Sequence, residues 1–393
     1  MPDYVYPLSR IDLSGHEIAY ALEALRAGDI GPSGRFREDV ESRFARQTGA
    51  YAALTTTSGT TALHLAIDIA GIEPGDEVIL PSLTYVATAN AVWQAGGKPV
   101  FADLDPETWC LDPASVAERI TPRTRGIVTV HLFGHATRPT ALQALAQKHG
   151  LWLVADAAHA ALTRLDGVGV GALTETTAFS FHLNKSITCG EGGAVTVSNP
   201  ADLERGRIRR SHGMDYRKRF VFHDFGFNYR LSNLHCAILS GQFDRCDEIR
   251  VRRAAIGRAY RSALADCDEI RLQPTVTGLE QEVWMLPLLV GIRPRRSLDD
   301  LISQLAARGI EARRFFQPLH TLPFYRPFHD PRQAPLPITE EIAARGLCLP
   351  AYNGLTPDDA TAIAEHLLEL VHPVSAAAGH AQRGADLDSR RKA

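Results

Sequence analysis

Between about Tyr51 and Val197, short apolar runs alternate with longer stretches whose apolar residues recur at helical spacing. The runs are Val78-Ile79-Leu80, Val100-Phe101-Ala102, Ile127-Val128-Thr129-Val130, Leu151-Trp152-Leu153-Val154-Ala155, Ala178-Phe179-Ser180-Phe181 and Ala194-Val195-Thr196-Val197. Runs this apolar suit strands covered on both faces, so the rhythm predicts an α/β fold with a mostly parallel sheet between helices. One intervening helix is expected over residues 62–70, opened by Ser58-Gly59-Thr60. A long helical stretch from residue 231 through Tyr260 reads as the link to a smaller α+β domain. That domain has a strand-like run over 285–290, a helix over 301–308 closed by Gly309, and a last helix from about Pro357 to Val371. The expected division is a large domain over 1–245, a small domain over 246–372, and a disordered tail over 373–393 rich in Ala, Gly and charge. There is no internal repeat.

Composition narrows the function classes. At 393 residues and 45% hydrophobic, the chain can fill two substantial interiors. A net charge of -3 gives no bulk attraction to nucleic acid or to an anionic membrane. Two basic clusters, Arg207-Ile208-Arg209-Arg210 and Arg217-Lys218-Arg219, read as solvated faces, the second with contact to a nucleotide diphosphate as its functional alternative. Six cysteines, at 110, 189, 236, 246, 267 and 348, lack the spacing of a zinc or redox centre, so no metal and a reducing cytoplasm are expected. Cys189, close to Lys185, reads as a small packing residue, with redox sensitivity as the alternative. The N-terminus shows no basic leader or signal-length apolar core, and no membrane-spanning run appears. No Gly-x-Gly-x-x-Gly follows the first strand, which separates the chain from dinucleotide enzymes of the same rhythm.

The candidate chemistry gathers at strand ends. Pyridoxal phosphate needs an amine for its aldehyde, an acid beside its pyridine nitrogen, donors around its phosphate and a flat wall against its ring. Lys185 offers the amine, and Asp156, at the carboxyl end of an apolar strand, offers the acid. Ser58, Gly59 and Thr60 sit at a helix start, where unpaired amides attract anions, and Ser180 could add a hydroxyl. Tyr85, after the strand ending at Leu80, supplies the flat wall. Taken singly, each has a plainer explanation. Lys185 could be a surface charge, Asp156 and Ser58 helix caps, and Tyr85 a core aromatic under a loop. The combination is what points to the cofactor.

In this order, with Pro74-Gly75-Asp76-Glu77-Val78, Val130-His131-Leu132-Phe133-Gly134, Asp156-Ala157-Ala158-His159 and Gly226-Phe227-Asn228-Tyr229-Arg230, the chain resembles the DegT/StrS-type sugar aminotransferases. These are a branch of the fold-type-I pyridoxal phosphate enzymes. The resemblance implies that Lys185 bonds the cofactor, Asp156 partners its pyridine nitrogen and His159 contacts its phenolic oxygen. It makes Tyr85 the stacking ring and Gly59, Thr60 and Ser180 phosphate contacts. It has Asn228 reach the phosphate of a neighbouring subunit, hence a homodimer with shared active sites. Relatives with histidine at the lysine position dehydrate instead, and Lys185 argues against that outcome.

The segment Phe315-Phe316-Gln317-Pro318-Leu319-His320 resembles one whose histidine lines the sugar pocket, although Phe316 and Gln317 depart from its tyrosine-rich form. His320, Phe316 and Gln317 are therefore the expected substrate contacts. The resemblance implies an amino acid donor such as glutamate and a nucleotide-linked 4-keto-6-deoxy sugar as acceptor, closest to the perosamine-synthase-like members. A 3-keto sugar or a keto-cyclitol is the alternative acceptor, and a cofactor-binding regulatory protein the non-enzyme alternative.

Overall fold

The computed structural model describes residues 4–136, 138–218, 220–291, 297–328 and 335–371. The tail expected over 373–393 and Arg219 of the second basic cluster lie outside them. Seven strands form the main sheet: β1 (Ala52–Thr56), β2 (Glu77–Pro81), β3 (Lys98–Ala102), β4 (Thr124–Val130), β5 (Trp152–Asp156), β6 (Thr176–Ser180) and β7 (Gly193–Val197). Their spatial order is β1-β7-β6-β5-β4-β2-β3. The pairs β6–β5, β5–β4, β4–β2 and β2–β3 are parallel, while β7 runs antiparallel to both β1 and β6.

Burial on both faces explains the apolar runs. Val78 and Leu80 face a cluster with Leu63, Leu65 and Ile67 of the Gly59–Ala70 helix. Ile79 between them faces the opposite side, with Val100, Ile127, Leu153 and Leu142. Strand residues two apart share a face, and both faces here are covered by helices.

The long helical stretch expected from residue 231 is two helices, Asn233–Phe243 and Cys246–Ala263. The break falls where polar side chains take other partners. Asp244 holds His16 and Arg43 at 2.9 Å each, and Arg245 pairs with Asp12 and Glu17 at 3.0 Å each. Beyond it, β8 (Ile270–Leu272), β9 (Leu286–Val290), β10 (Arg313–Arg314) and β11 (Gly346–Leu349) form an antiparallel sheet ordered β8-β9-β11-β10. Helices Leu298–Ala307 and Pro357–Val371 pack on it through Leu301, Leu305, Ile363 and Leu367.

The two regions are stitched together. Leu279 and Glu280 pair with Leu165 and Arg164, and Trp284, Met285, Phe315 and Cys348 share a cluster with Leu83, Val130 and Phe133. All six cysteines are buried free thiols. Among the described residues no helix is long and apolar enough to cross a membrane.

Candidate active site

Because β1, β2, β5 and β6 run the same way, their carboxyl ends open onto one edge of the sheet. There lies a cavity of about 470 Å³ lined by Ser58, Gly59, Thr60, Thr84, Tyr85, Asp156, His159, Ser180, His182, Lys185, Glu191, Trp284, Arg313 and Phe316, among others. Nine of the residues expected from sequence therefore meet in one place. The remaining three do not line it.

The phosphate end is built by the helix start. Ser58 adopts extended backbone and caps the helix: its hydroxyl accepts from the Thr61 amide at 3.1 Å while the Thr61 hydroxyl accepts from the Ser58 amide at 3.0 Å. The plain capping role is thus real, and it leaves the amides before Thr61 without intrahelical partners. The Gly59 and Thr60 amides precede the point where intrahelical bonds begin, so they face outward with partial positive charge. Gly59 is required by a close approach, since a Cβ there would meet the Ser180 Cβ at 2.7 Å. β6 and the helix start thus approach closely at the cavity, which both Gly59 and Ser180 line.

Asp156 is buried, yet both its oxygens are occupied. Oδ2 accepts from the Thr88 hydroxyl at 2.7 Å, and Oδ1 from the Ala158 amide at 3.0 Å. Thr88 is in turn 3.0 Å from the Thr84 hydroxyl. Burial pushes the Asp156 carboxyl above its usual range, against these bonds and the charge of Lys185. A buried carboxylate in this state is stabilised by any cation placed beside it. A protonated pyridine nitrogen is such a cation, so the donor set fits the cofactor.

Lys185 is half-buried, with Nζ 4.2 Å from the centroid of the Trp284 ring. Burial lowers its amine from 10.5 to about 7; Asp156 opposes the shift, Arg313 adds to it, and Glu282 opposes it. The sign is direct: below about 7 the amine is charged and inert, and above it the amine is a free nucleophile and base. We expect the acylation rate of Lys185 in the apoprotein to rise through pH 7 and level off well short of 10.5. Site-resolved mass spectrometry across a pH series checks this, and a midpoint near 10 would refute it.

His159 is stacked on Trp284, with ring centroids 3.8 Å apart at 12°. Its Nδ1 accepts from the Phe133 amide at 3.3 Å, which places the proton of the neutral ring on Nε2. Burial holds this histidine well below its usual range, with the charges of Lys185 and Arg313 adding to the effect. Tyr85 is 57% exposed and 5.8 Å from the Phe316 ring, so it borders the cavity rather than filling a core.

Three expected residues stand elsewhere. His320 is buried between the Ser82 hydroxyl at 2.7 Å and Glu340 at 3.2 Å and does not line the cavity. Gln317 donates to the Thr321 hydroxyl at 3.0 Å. Asn228 accepts from Nε and Nη2 of Arg230, each at 3.1 Å, outside the cavity of its own chain. Arg217 also stands apart, with the Tyr216 hydroxyl as its partner at 2.7 Å.

Sequence reasoning missed Trp284, Arg313, His182 and Glu191. Trp284 matters most for geometry, because its indole N–H donates to the Asn184 carbonyl at 2.7 Å. Asn353 donates to the Ser186 carbonyl at 3.0 Å, and Arg253 bonds Asn353, Val283, Trp284 and Ala351. The lysine is thus bracketed by two bonds from the C-terminal region. The only signal for Arg313 was alternation along β10, where Arg314 turns outward to Asp299 at 2.7 Å.

The family model described as DegT/DnrJ/EryC1/StrS aminotransferase matches residues 12–368. A GDP-perosamine synthase of Caulobacter vibrioides is 39% identical over 88% of this chain and 93% of its own length. The solved structure of DesV from S. venezuelae is 34% identical, with a TM-score of 0.87 over 94% of this chain and 99% of that one. That of DesI, obtained with its TDP-sugar product, is 31% identical, with a TM-score of 0.84 over 100% of this chain and 97% of that one.

Proposed function

Since the chain belongs to the DegT/DnrJ/EryC1/StrS aminotransferase family, we propose that it aminates carbon four of a nucleotide-linked 4-keto-6-deoxy sugar, with glutamate as donor. It is a pyridoxal phosphate-dependent aminotransferase that converts a nucleotide-linked keto sugar into an amino sugar. The observation that carries the chemistry is the Lys185 amine, poised near neutrality, in one cavity with the buried carboxylate of Asp156. The likeness to GDP-perosamine synthases supports the position of amination.

When bound, pyridoxal phosphate supplies an aldehyde to receive the amino group and a ring that draws electrons from a carbon losing its proton. The Gly59 and Thr60 amides with the Ser180 hydroxyl would hold its phosphate, and Asp156 would keep positive charge beside its ring nitrogen. His159, with its proton on Nε2, would donate to the phenolic oxygen, its ring held by the stack on Trp284 and the Phe133 amide. Tyr85, which lines the cavity, would supply the stacking ring. Lys185 then takes the proton from the donor's α-carbon and later returns one to the sugar carbon. Its lowered proton affinity is what lets one amine do both near neutral pH.

A homodimer with shared sites is part of this reading. Phe220, Phe222 and Phe225 are 75%, 58% and 67% exposed on the segment ahead of Asn228, an apolar surface that a second copy would cover while Asn228 reaches its phosphate. We place the boundary between large and small domains at residues 245 and 246, within the helix break. A cytoplasmic setting fits the six buried free thiols.

The test is to load the enzyme with aminated cofactor and offer GDP- and TDP-linked 4-keto and 3-keto sugars. Mass spectrometry and NMR should locate a new amine on carbon four. An amine on carbon three, or no product from any member, would overturn the assignment.

A further inference from the structure

Among the described residues, Arg313 is a charge in the cavity that no carboxylate balances. It lies on β10, opposite Cys348 of β11, and lines the same cavity as Lys185 and His159. Its guanidinium carbon stands 5.2 Å from the Trp284 centroid and 5.6 Å from that of Phe316. Among the described residues no carboxylate pairs with it, whereas the adjacent Arg314 has Asp299. The two carboxylates of the cavity are engaged elsewhere: Asp156 by Thr88 and Ala158, and Glu191 by His182 at 3.7 Å. Removing a cation from bulk water without a partner is costly, and two flat rings recover part of that cost by cation–π contact. A guanidinium seated against two rings still offers a planar fork of N–H donors suited to a two-oxygen anion.

We propose that Arg313 is the residue that recognises the α-carboxylate of the amino acid donor. This deepens the aminotransferase reading above and rests on it. The Lys185 nitrogen and the Arg313 guanidinium both lie against Trp284, within 4.2 and 5.2 Å of the same ring centre. A donor must put its α-carbon beside that nitrogen, and its carboxylate is one bond from that carbon. Among the ligands of this reaction, the donor alone carries an anion next to the reacting carbon. The sugar's negative charge is on the diphosphate, across the ring from a carbon-four ketone. The cofactor's phosphate has its own donors at Gly59, Thr60 and Ser180. The charge of Arg313 adds to the effect of burial in lowering the proton affinity of Lys185 and His159, in keeping with its place in the same cavity. A bound carboxylate would cancel that influence, so donor binding should make the lysine a stronger base as it is needed.

The experiment compares the unaltered holoenzyme with Arg313→Gln and Arg313→Lys. Three quantities are read: calorimetric binding of the unreactive dicarboxylate glutarate, the kcat/KM ratio for L-glutamate over its α-amide isoglutamine, and the rate at which aminated enzyme consumes keto sugar. In Arg313→Gln, glutarate affinity and the glutamate preference should each fall about 30- to 100-fold, as expected for losing one side of a charged hydrogen-bonded pair. Sugar consumption should fall by less than about tenfold, since Arg313 touches that half only through the charge it exerts on Lys185, and an unchanged thermal melt shows that the variant is folded. Arg313→Lys should recover only part of the loss, since an ammonium lacks the planar fork. Unchanged glutarate and glutamate values, or a loss confined to the sugar, would overturn the assignment, the latter giving the guanidinium to the diphosphate. An unaltered enzyme that takes no amino group from glutamate would overturn the donor reading itself, and this inference with it.

Discussion

Lys185→Ala is expected to lower amino transfer by about 10⁴-fold or more, since it removes both the amine that bonds the cofactor and the base that moves the proton. The fold should survive. The side chain is half-buried, and its positive charge stands in the same cavity as Arg313. Deleting a buried cation removes a desolvation cost, so the melting temperature should hold or rise. Stopped-flow spectra of the loaded variant with glutamate, beside its thermal melt, check both halves of this expectation. Residual exchange above about 1% of the normal rate would exceed what other groups could supply and would count against the role. A small external amine that restores part of the activity would identify proton movement as the lost step.

Asp156→Asn is expected to reduce turnover by about 10² to 10³-fold with little change in stability. The geometry explains why the two effects separate. An asparagine oxygen can still accept from the Ala158 amide, and its NH₂ can donate to the Thr88 hydroxyl, which already has Thr84 as a second partner. The local turn is therefore retained while the negative charge is lost. Without that charge nothing in the cavity holds a proton on the pyridine nitrogen, and the ring withdraws electrons less well. Steady-state rates and the cofactor's absorbance across pH check this. Near-normal turnover would leave Asp156 as a residue that merely organises the turn at Ala158.

The parts of the site that could be read from sequence are those set by local structure. Asp156, Ser180 and the Ser58-Gly59-Thr60 turn each sit where one apolar strand or helix begins or ends, and an α/β sheet with parallel neighbours brings such ends together. The antiparallel course of β7 was not read from sequence, where Ala194-Val195-Thr196-Val197 counted simply as one more strand of a mostly parallel sheet. What could not be read depends on contacts between distant segments. Trp284 reaches Asn184 across a separation of 100 residues, and nothing near it in the chain marks a ring against which both Lys185 and His159 would lie. The orientation of His320 hangs on Ser82, 238 residues earlier. Phe316 lines the cavity although both lie in one short segment, while His320 takes Ser82 and Glu340 as partners.

The hydrogen bonds from Trp284 and Asn353 to the carbonyls flanking Lys185 make the enzyme hard to prune. A truncated version ending at residue 245 would retain every phosphate-facing group and the reactive amine, yet its lysine turn would be released and His159 would lose the indole it lies on. Protein engineers seeking a minimal catalyst from this scaffold would have to rebuild that bracket.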